Sequence, residues 1–393
     1  MKTFDVGIVG AGPAGSSTAI ILARRGYSVA LIDKEEFPRE KLCGDFINPA
    51  NWPILQSLGV ERKIAACAHE RITAFLLTGV SGEEIEVPFS PVAGAPVSGL
   101  GLRRVDFDNI LLEQARAEGA ALHLGFKIER CNRTANGWLL SGNGGEAVRA
   151  RVLVGADGRN SLIAHRLGTT RSVSSGNSAL GGQIRLRSSA VKKGTVQIHI
   201  FPGGYAGVAN VGKGIATLGF AVKRDEFARQ RYSTENLLRD SVSQNAYLRA
   251  MLEQSEIIGE PQWTSPVYFP PRQSYGNGFL LVGDAARVNE PVSGEGIYVA
   301  LKSGEIAGRT LDRAFQTGNL SAPQLRSYEV ECRSVFGIRR ALNCLLRGLV
   351  YRPAFVARVI RLSQKTRLIE RIVQKICQPE PAAFAALSEG PGG

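Results

Sequence analysis

Gly10, Gly12 and Gly15 fall in the order G-x-G-x-x-G, and Asp33 closes the next apolar run. Such a spacing suits a dinucleotide. The first glycine permits a tight turn, the second lets the backbone approach a pyrophosphate, and the third lets a helix pack on a strand. The acid then accepts from a ribose hydroxyl, and the helix N-terminus attracts the anion. A second candidate group is Cys43 with Asp45, inside the loop EFPREKLCGDFINP (36–49), whose Pro and Gly residues exclude a regular helix. Cys43 reads as a packed thiol, a redox group or a pocket wall. With no His or second Cys beside it, the wall is preferred. His199 is a third candidate, an acid/base if it points at a pocket, because its ordinary pKa is near neutral.

These residues need elements to hold them. FDVGIV (4–9) is a short buried parallel strand by pattern, STAIILARRG an apolar-periodic helix closed by Gly26, and SVALID (28–33) a second buried strand. Together they form a βαβ unit. ARVLVGAD (150–157) and FLLVGDA (279–285) read as further buried strands, and 104–118 and 295–314 as helices. By contrast, 72–89 and 179–222 carry strand and turn signals with no long helix, which implies an antiparallel sheet. In VQIHIFPGGY (196–205), alternation puts Val196, Ile198 and Ile200 on one face and Gln197, His199 and Phe201 on the other.

The fold class expected is therefore α/β plus β: a Rossmann-like lobe interrupted by an antiparallel β-sheet lobe, with a helical C-terminal tail. The expected boundaries are 1–67, 100–175 and 276–322 for the first lobe, and 68–99 and 176–275 for the second. The tail spans 323–377, and 378–393 is expected to be flexible.

Composition narrows the classes. The 393 residues are 44% hydrophobic and 21% charged, which is globular. No run of 18 apolar residues is present, and the N-terminus lacks the regions of a signal peptide, so a cytoplasmic location is expected. Six scattered cysteines without a C-x-x-C pair, and four histidines, support neither a metal site nor a disulfide framework. The net charge of +13 is concentrated. Between Arg333 and Cys377 stand nine Arg and two Lys against one Glu. A nucleic-acid surface spread over the fold is not expected. The same tail has apolar residues at 338, 342, 345, 346 and 349, a one-faced helical spacing interrupted at Pro353. That face either caps the nucleotide lobe or makes peripheral contact with anionic lipid.

The combination of GAGPAG, VGADGRNS (154–161) and FLLVGDAARVNEPVSGEGIYVALKSG (279–304) resembles the FAD-binding fold shared by aromatic hydroxylases, flavin-dependent halogenases and geranylgeranyl reductases. LRRVDFDNILLEQA (102–115) matches that family's R-x-x-F-D-x-x-L at Arg104, Phe107, Asp108 and Leu111. The resemblance implies FAD as cofactor. It implies contacts from Gly10, Gly12, Pro13, Ala14, Gly15, Asp33 and Lys34, and from Arg104, Asp157 and Gly158. Gly283 and Asp284 would meet the ribityl–pyrophosphate region. Pro291, Gly294, Glu295, Gly296 and Ile297 would face the flavin, with backbone N–H groups near its N1 and O2.

The loop at 36–49 is similar to the P-R-x-K-x-C-G loop of geranylgeranyl reductase-like flavoproteins, at Arg39, Lys41, Cys43, Gly44 and Asp45, a position where many members of that family have glycine. By that likeness Lys41, Cys43 and Gly44 line the flavin pocket, and Cys43, Asp45 and Tyr205 are its catalytic face. Where that branch carries Y-x-W-x-F-P, this chain has YAGVAN (205–210), keeping Tyr205 but losing three large groups. The pocket is therefore differently shaped. The activity implied is hydride transfer to or from an unsaturated lipophilic small molecule, isoprenoid- or polyketide-like. Alternatives are a monooxygenase or halogenase acting on an aromatic substrate, and a catalytically lapsed flavin-binding protein at a membrane surface. No second dinucleotide motif is found, so an external electron donor or acceptor, NAD(P)H or a reductase, is implied.

Overall fold

The structure, a computed structural model, describes residues 3–92, 95–142, 145–170 and 179–378. The segment expected to be flexible lies outside these residues from 379 on, as does the expected lobe boundary at 175/176.

The first lobe is built on parallel strands in the order Phe279–Leu281, Ala147–Gly155, Thr3–Val9, Val29–Ile32 and Ala121–His123. Helices cover the sheet, so Val6–Val9, Val29–Ile32 and Val152–Gly155 are buried as unbroken runs rather than alternations. On one side the helix Pro13–Arg24 packs along the helix Gly296–Gln316. The two come very close at Gly304, where a Cβ would lie 2.4 Å from the Ala14 carbonyl oxygen. The polar residues of this buried helix are satisfied across that crossing. Ser17 Oγ donates to the Leu301 carbonyl at 3.1 Å, and Thr18 Oγ1 to that of Gly304 at 3.2 Å.

The second lobe is a seven-stranded sheet ordered Ser255–Thr264, Ala179–Ser188, Ile215–Lys223, Gly204–Asn210, Thr195–Phe201, Ala74–Thr78 and Glu84–Pro88. All pairs are antiparallel except Thr195–Phe201 with Ala74–Thr78. Its two faces have different partners. Phe201, Val208, Leu218 and Phe220 bury against Leu237, Val242, Leu248 and Met251. Ile198, Ile200, Tyr205 and Ala221 face the other way, toward Phe46, Val292 and the tail. The alternation read in 196–201 therefore holds. The short helices Arg224–Arg229 and Ala246–Glu253 were not expected inside this lobe. Each is too brief to show a sustained 3.6-residue period. A small sheet of Phe46–Ile47, Gly99–Gly101 and Glu70–Ile72 stands between the lobes.

The tail forms three helices, Ala322–Val350, Pro353–Thr366 and Leu368–Cys377. Proline has no amide hydrogen to continue a helix, so the break falls at Pro353. Leu325, Tyr328, Cys332 and Phe336 bury against the first lobe. From Val350 on, the buried side chains Val356, Ile360, Ile369, Val373 and Ile376 pack with the second lobe instead. The tail thus caps both lobes, not the nucleotide lobe alone. The apolar stripe read from the sequence is only partly covered, because Ile338 and Leu345 are exposed.

Candidate active site

The glycine turn separates two kinds of glycine. Gly10 has φ +105°, and a Cβ there would sit 2.3 Å from the Ala156 carbonyl oxygen. A Cβ on Gly15 would fall 1.8 Å from the Gly10 carbonyl oxygen. Chain packing alone demands both. At Gly12 a Cβ would meet only Arg39 Nη2, at 3.6 Å, an ordinary contact. What the second glycine keeps clear is therefore space outside the chain. Pro13 and Ala14 continue into the buried helix. Asp33 is fixed beside the turn, its Oδ2 accepting from Ala11 N at 2.8 Å and its Oδ1 from Glu35 N at 3.0 Å. Lys34 is exposed and pairs with Glu35.

Four cations gather beside this turn. Arg39 lies over the Phe37 ring at 4.6 Å and faces Asp33 at 3.9 Å. Its buried Nη1 is 3.2 Å from Asp108 Oδ2 yet makes no hydrogen bond. Arg104 forks onto the same carboxylate, with Nε and Nη2 each 2.6 Å from an oxygen. Arg159 stands 3.6 Å from Asp284, which is partly exposed. Lys41 joins them, its pKa lowered by burial and by the nearby Arg39 and Arg104 against the pull of Asp284. An unfilled buried donor in a groove rich in guanidinium suits a pyrophosphate. Arg39 and Arg159 were not among the expected cofactor contacts, although Arg39 lies in the matched loop.

The Asp157 carboxylate is engaged within the chain. It accepts from Ser161 Oγ at 2.5 Å and Ile163 N at 3.1 Å, capping the short helix Leu162–Arg166.

Further along, Gly283 carries φ +56° at the end of the Phe279–Leu281 strand. The turn Pro291–Ser293 then runs into Gly294 (φ +62°), which lies against Phe46. Gly296 has no neighbour within 4 Å of a Cβ and opens the 21-residue helix, whose N-terminus has no side-chain cap. Uncapped N–H groups there stabilise a negative charge by about 0.3–1 kcal/mol. Ile297 is buried beneath them. The Glu295 side chain points elsewhere, to Arg339.

The expected catalytic face divides. Cys43 N donates to Gln183 Oε1 at 3.0 Å, anchoring the loop to the second lobe. Burial raises the Cys43 thiol pKa, opposed by the adjacent Arg104. Gly44 follows, with nothing within 4 Å of a Cβ. Asp45, in a left-handed conformation at φ +54°, accepts from Arg104 N at 3.1 Å, Thr217 Oγ1 at 2.7 Å and the Arg185 guanidinium. With both oxygens engaged, it works as a strut between loop and sheet. Tyr205 donates to Glu290 Oε1 at 2.8 Å. It shares an apolar cluster with Phe46 and Val292, next to the Gly294 turn. His199 lies on the opposite face of the sheet, buried between Thr78 Oγ1 at 2.8 Å and Gln197 Oε1 at 2.9 Å, and stacked on Tyr247. Burial lowers its pKa to about 3. It is a satisfied core residue rather than an acid/base at the pocket. Glu290, Asn343 and Tyr351 were not foreseen. Glu290 stands within the matched 279–304 string, but the tail residues carry no motif.

A parallel sheet with a glycine turn and cationic groove, facing an antiparallel sheet across a flexed glycine-rich turn, defines a two-lobed flavoprotein. The FAD-binding domain family matches residues 3–337, and the chain belongs to it. It is an FAD-dependent oxidoreductase. It is 30% identical over 353 residues to digeranylgeranylglycerophospholipid reductase 2 of Methanopyrus kandleri, covering 85% of this chain and 83% of that one. Menaquinone reductase of Mycolicibacterium smegmatis is 29% identical over 358 residues, covering 87% and 84%. The crystal structure of a geranylgeranyl bacteriochlorophyll reductase-like protein from Thermoplasma acidophilum superposes with a TM-score of 0.80 at 23% identity, covering 99% of each chain. Among the described residues, no helix is long and apolar enough to cross a membrane.

Proposed function

We propose that the chain reduces an unsaturated, lipophilic small molecule, with a prenylated lipid or quinone as the substrate class. The observation that carries this reading is the buried apolar cluster beside the Gly294 turn. Phe46, Ile198, Ile200, Ala221 and Val292 make it apolar, and its polar groups are Tyr205 and the buried Glu290. FAD, when bound, supplies hydride chemistry. The protein positions it through the space at Gly12, the donors of Arg39 and Arg104, and the N–H groups ahead of Gly296. Cys43 walls the pocket and the Asp45 strut holds its loop. The names of the two reductase relatives fit a lipophilic substrate, while the loss of bulk in YAGVAN sets a pocket shape of its own. Electrons come from a diffusible donor, NAD(P)H or a reductase.

The same reading gives the tail a second task, delivery from a lipid surface. Ile338, Leu345, Phe355, Leu362 and Leu368 are exposed. Arg340, Arg352, Arg358, Lys365, Arg371 and Lys375 are exposed with no ion pair among the described residues. A basic surface studded with apolar side chains fits anionic headgroups.

The deciding experiment is anaerobic. Protein with chemically reduced FAD is mixed with a polyprenyl lipid or a menaquinone, and flavin reoxidation is followed with the product mass. Reoxidation with a gain of two hydrogens is expected. Reoxidation that requires oxygen and yields a hydroxylated or halogenated aromatic product overturns the reading.

A further inference from the structure

We propose that Glu290, acting through Tyr205, is the proton reserve of the active site, and that the tail completes it by adding Tyr351 and Arg347. This rests on the hydride-transfer reading above.

Glu290 immediately precedes the Pro291–Gly294 turn and is 1% exposed. Two phenols converge on one of its oxygens, Tyr205 Oη at 2.8 Å and Tyr351 Oη at 2.9 Å. The rings cross at 62° with centroids 5.8 Å apart. Arg347 Nε stands 3.7 Å from the other oxygen. The backbone is clamped as well. Glu290 N donates to Asn343 Oδ1 at 2.9 Å, while Asn343 Nδ2 donates to the Glu290 carbonyl and to Ser293 Oγ, each at 2.9 Å. One carboxyl thus ties a strand of the second lobe, the flavin turn and the tail's long helix.

Packing alone does not call for this arrangement. A buried charged group costs more than an apolar residue of its volume. The cluster instead has the parts of a proton path: a buried acid, a phenol set in the apolar cluster beside the Gly294 turn, and a half-exposed cation. The groups facing Glu290 are Tyr205, Tyr351, Arg347 and, at longer range, Arg159. Burial raises its pKa although all four oppose the rise.

The chemistry balances. Saturating a carbon–carbon double bond takes a hydride on one carbon and a proton on the other. The hydride, drawn from the reduced cofactor, brings the electron pair of the first new C–H bond. The π pair forms the second by taking the Tyr205 hydroxyl proton. With the Tyr205 hydroxyl turned from Glu290 Oε1 toward the substrate, the carboxyl proton of Glu290 passes to the Tyr205 oxygen, leaving a carboxylate beside Arg347 that regains a proton from solvent. With a quinone the proton goes to oxygen instead. Tyr205 is the group that meets substrate; Glu290 supplies it.

Two measurements on the FAD-loaded protein test this. The first needs no substrate: infrared titration of protonated carboxyl, comparing the wild type with Glu290→Gln. A component that titrates above the ordinary carboxyl range and is absent from Glu290→Gln is expected. It should move to higher pH in Tyr351→Phe and Arg347→Gln, since each removes a partner that favours the ionised form. The second is the pH profile of single-turnover reduction of a polyprenyl lipid or menaquinone. The wild-type rate should fall as pH rises through that titration. Glu290→Gln should be slower by about 100-fold and flat with pH, with FAD content unchanged. A Glu290→Gln profile matching the wild type, or a Glu290 carboxyl that titrates in the ordinary carboxyl range, overturns the proposal. Failure of every substrate to turn over removes the hydride reading instead, and the titration still judges the acid.

Discussion

Arg339 Nη1 donates to Glu295 Oε1 at 2.7 Å and to the Ile376 carbonyl at 2.8 Å, so one guanidinium pins both the start of the Gly296–Gln316 helix and the end of the last tail helix. Asn48 Nδ2 reaches the same carbonyl at 3.2 Å, and the Tyr298 ring lies 4.6 Å from the guanidinium carbon. Glu295 is fully buried, and burial raises its pKa against the opposing effect of Arg339. Removing one partner of a buried pair strands the other, at a cost of about 3–5 kcal/mol. Arg339→Met should therefore destabilise the protein by that order in urea unfolding. The double variant Arg339→Met with Glu295→Gln should recover much of the loss. The deficit of Arg339→Met should also shrink as pH falls, because a protonated Glu295 needs no cation. Equal unfolding midpoints for the single and double variants at every pH contradict this account.

The space outside Gly12 predicts a separation of cofactor binding from folding. Gly12→Val should leave secondary structure intact and abolish retention of FAD, read as the loss of flavin absorbance after gel filtration. Gly15→Val should fail to fold, because its Cβ has nowhere to go. Retained FAD in Gly12→Val contradicts the placement of the pyrophosphate.

His199 gives a pH signature of stability. Its pKa falls from 6.5 to about 3 on folding, because burial disfavours the charged ring. As pH drops below 6.5, the unfolded chain takes up a proton that the folded chain refuses. Stability is then lost by at most about 1.4 kcal/mol per pH unit until pH reaches about 3. His199→Gln should flatten this acid limb in urea unfolding series. An unchanged limb means that His199 is not the group responsible.

Much of this was legible in the residues because the features are local. The βαβ unit, the glycine turn and the alternation at 196–201 each rest on neighbours in sequence, where spacing and conformation are tied together. The proline at 353 broke the tail helix where the chain said it must. What the sequence did not disclose is contact between distant segments. Nothing in RRALNCLLRGLVY marks Asn343 and Tyr351 as partners of Glu290, more than fifty residues earlier. Asp45 and Asp157 likewise look like free acids in sequence, and only the fold brings Arg185 and Thr217 to one and a capping turn to the other. His199 was assigned the correct face of its strand, but which face meets the pocket depends on where the tail packs.

Cys43 and Cys344 should separate in chemical reactivity. Cys344 is exposed, while Cys43 is half-buried and desolvation raises its thiol pKa against the opposing effect of Arg104. The thiolate is the reactive form, so iodoacetamide at neutral pH should label Cys344 well before Cys43. Cys43→Ala should alter turnover more than FAD affinity if this side chain walls the substrate pocket. Equal FAD affinity with unaltered turnover reduces Cys43 to a packing residue.

The tail yields a prediction about lipid. Ile338 and Leu345 are two turns apart on one helix, and Phe355 and Leu362 are two turns apart on the next, so each pair shares a face. All four are exposed. Each basic residue at an anionic surface contributes about 1 kcal/mol, so Arg340→Gln with Arg358→Gln should weaken binding by roughly 30-fold. Ile338→Ser with Leu345→Ser should weaken it without changing its salt dependence, because that change removes insertion rather than charge. Neither pair belongs to the site around Glu290, so FAD content should hold in both. Co-sedimentation with vesicles of anionic or neutral lipid over a salt series reads each effect. Recovery with anionic vesicles that falls as salt rises is expected. Equal recovery with both lipids, or binding indifferent to salt, rules out an electrostatic membrane contact and leaves the arginines as a solvated face.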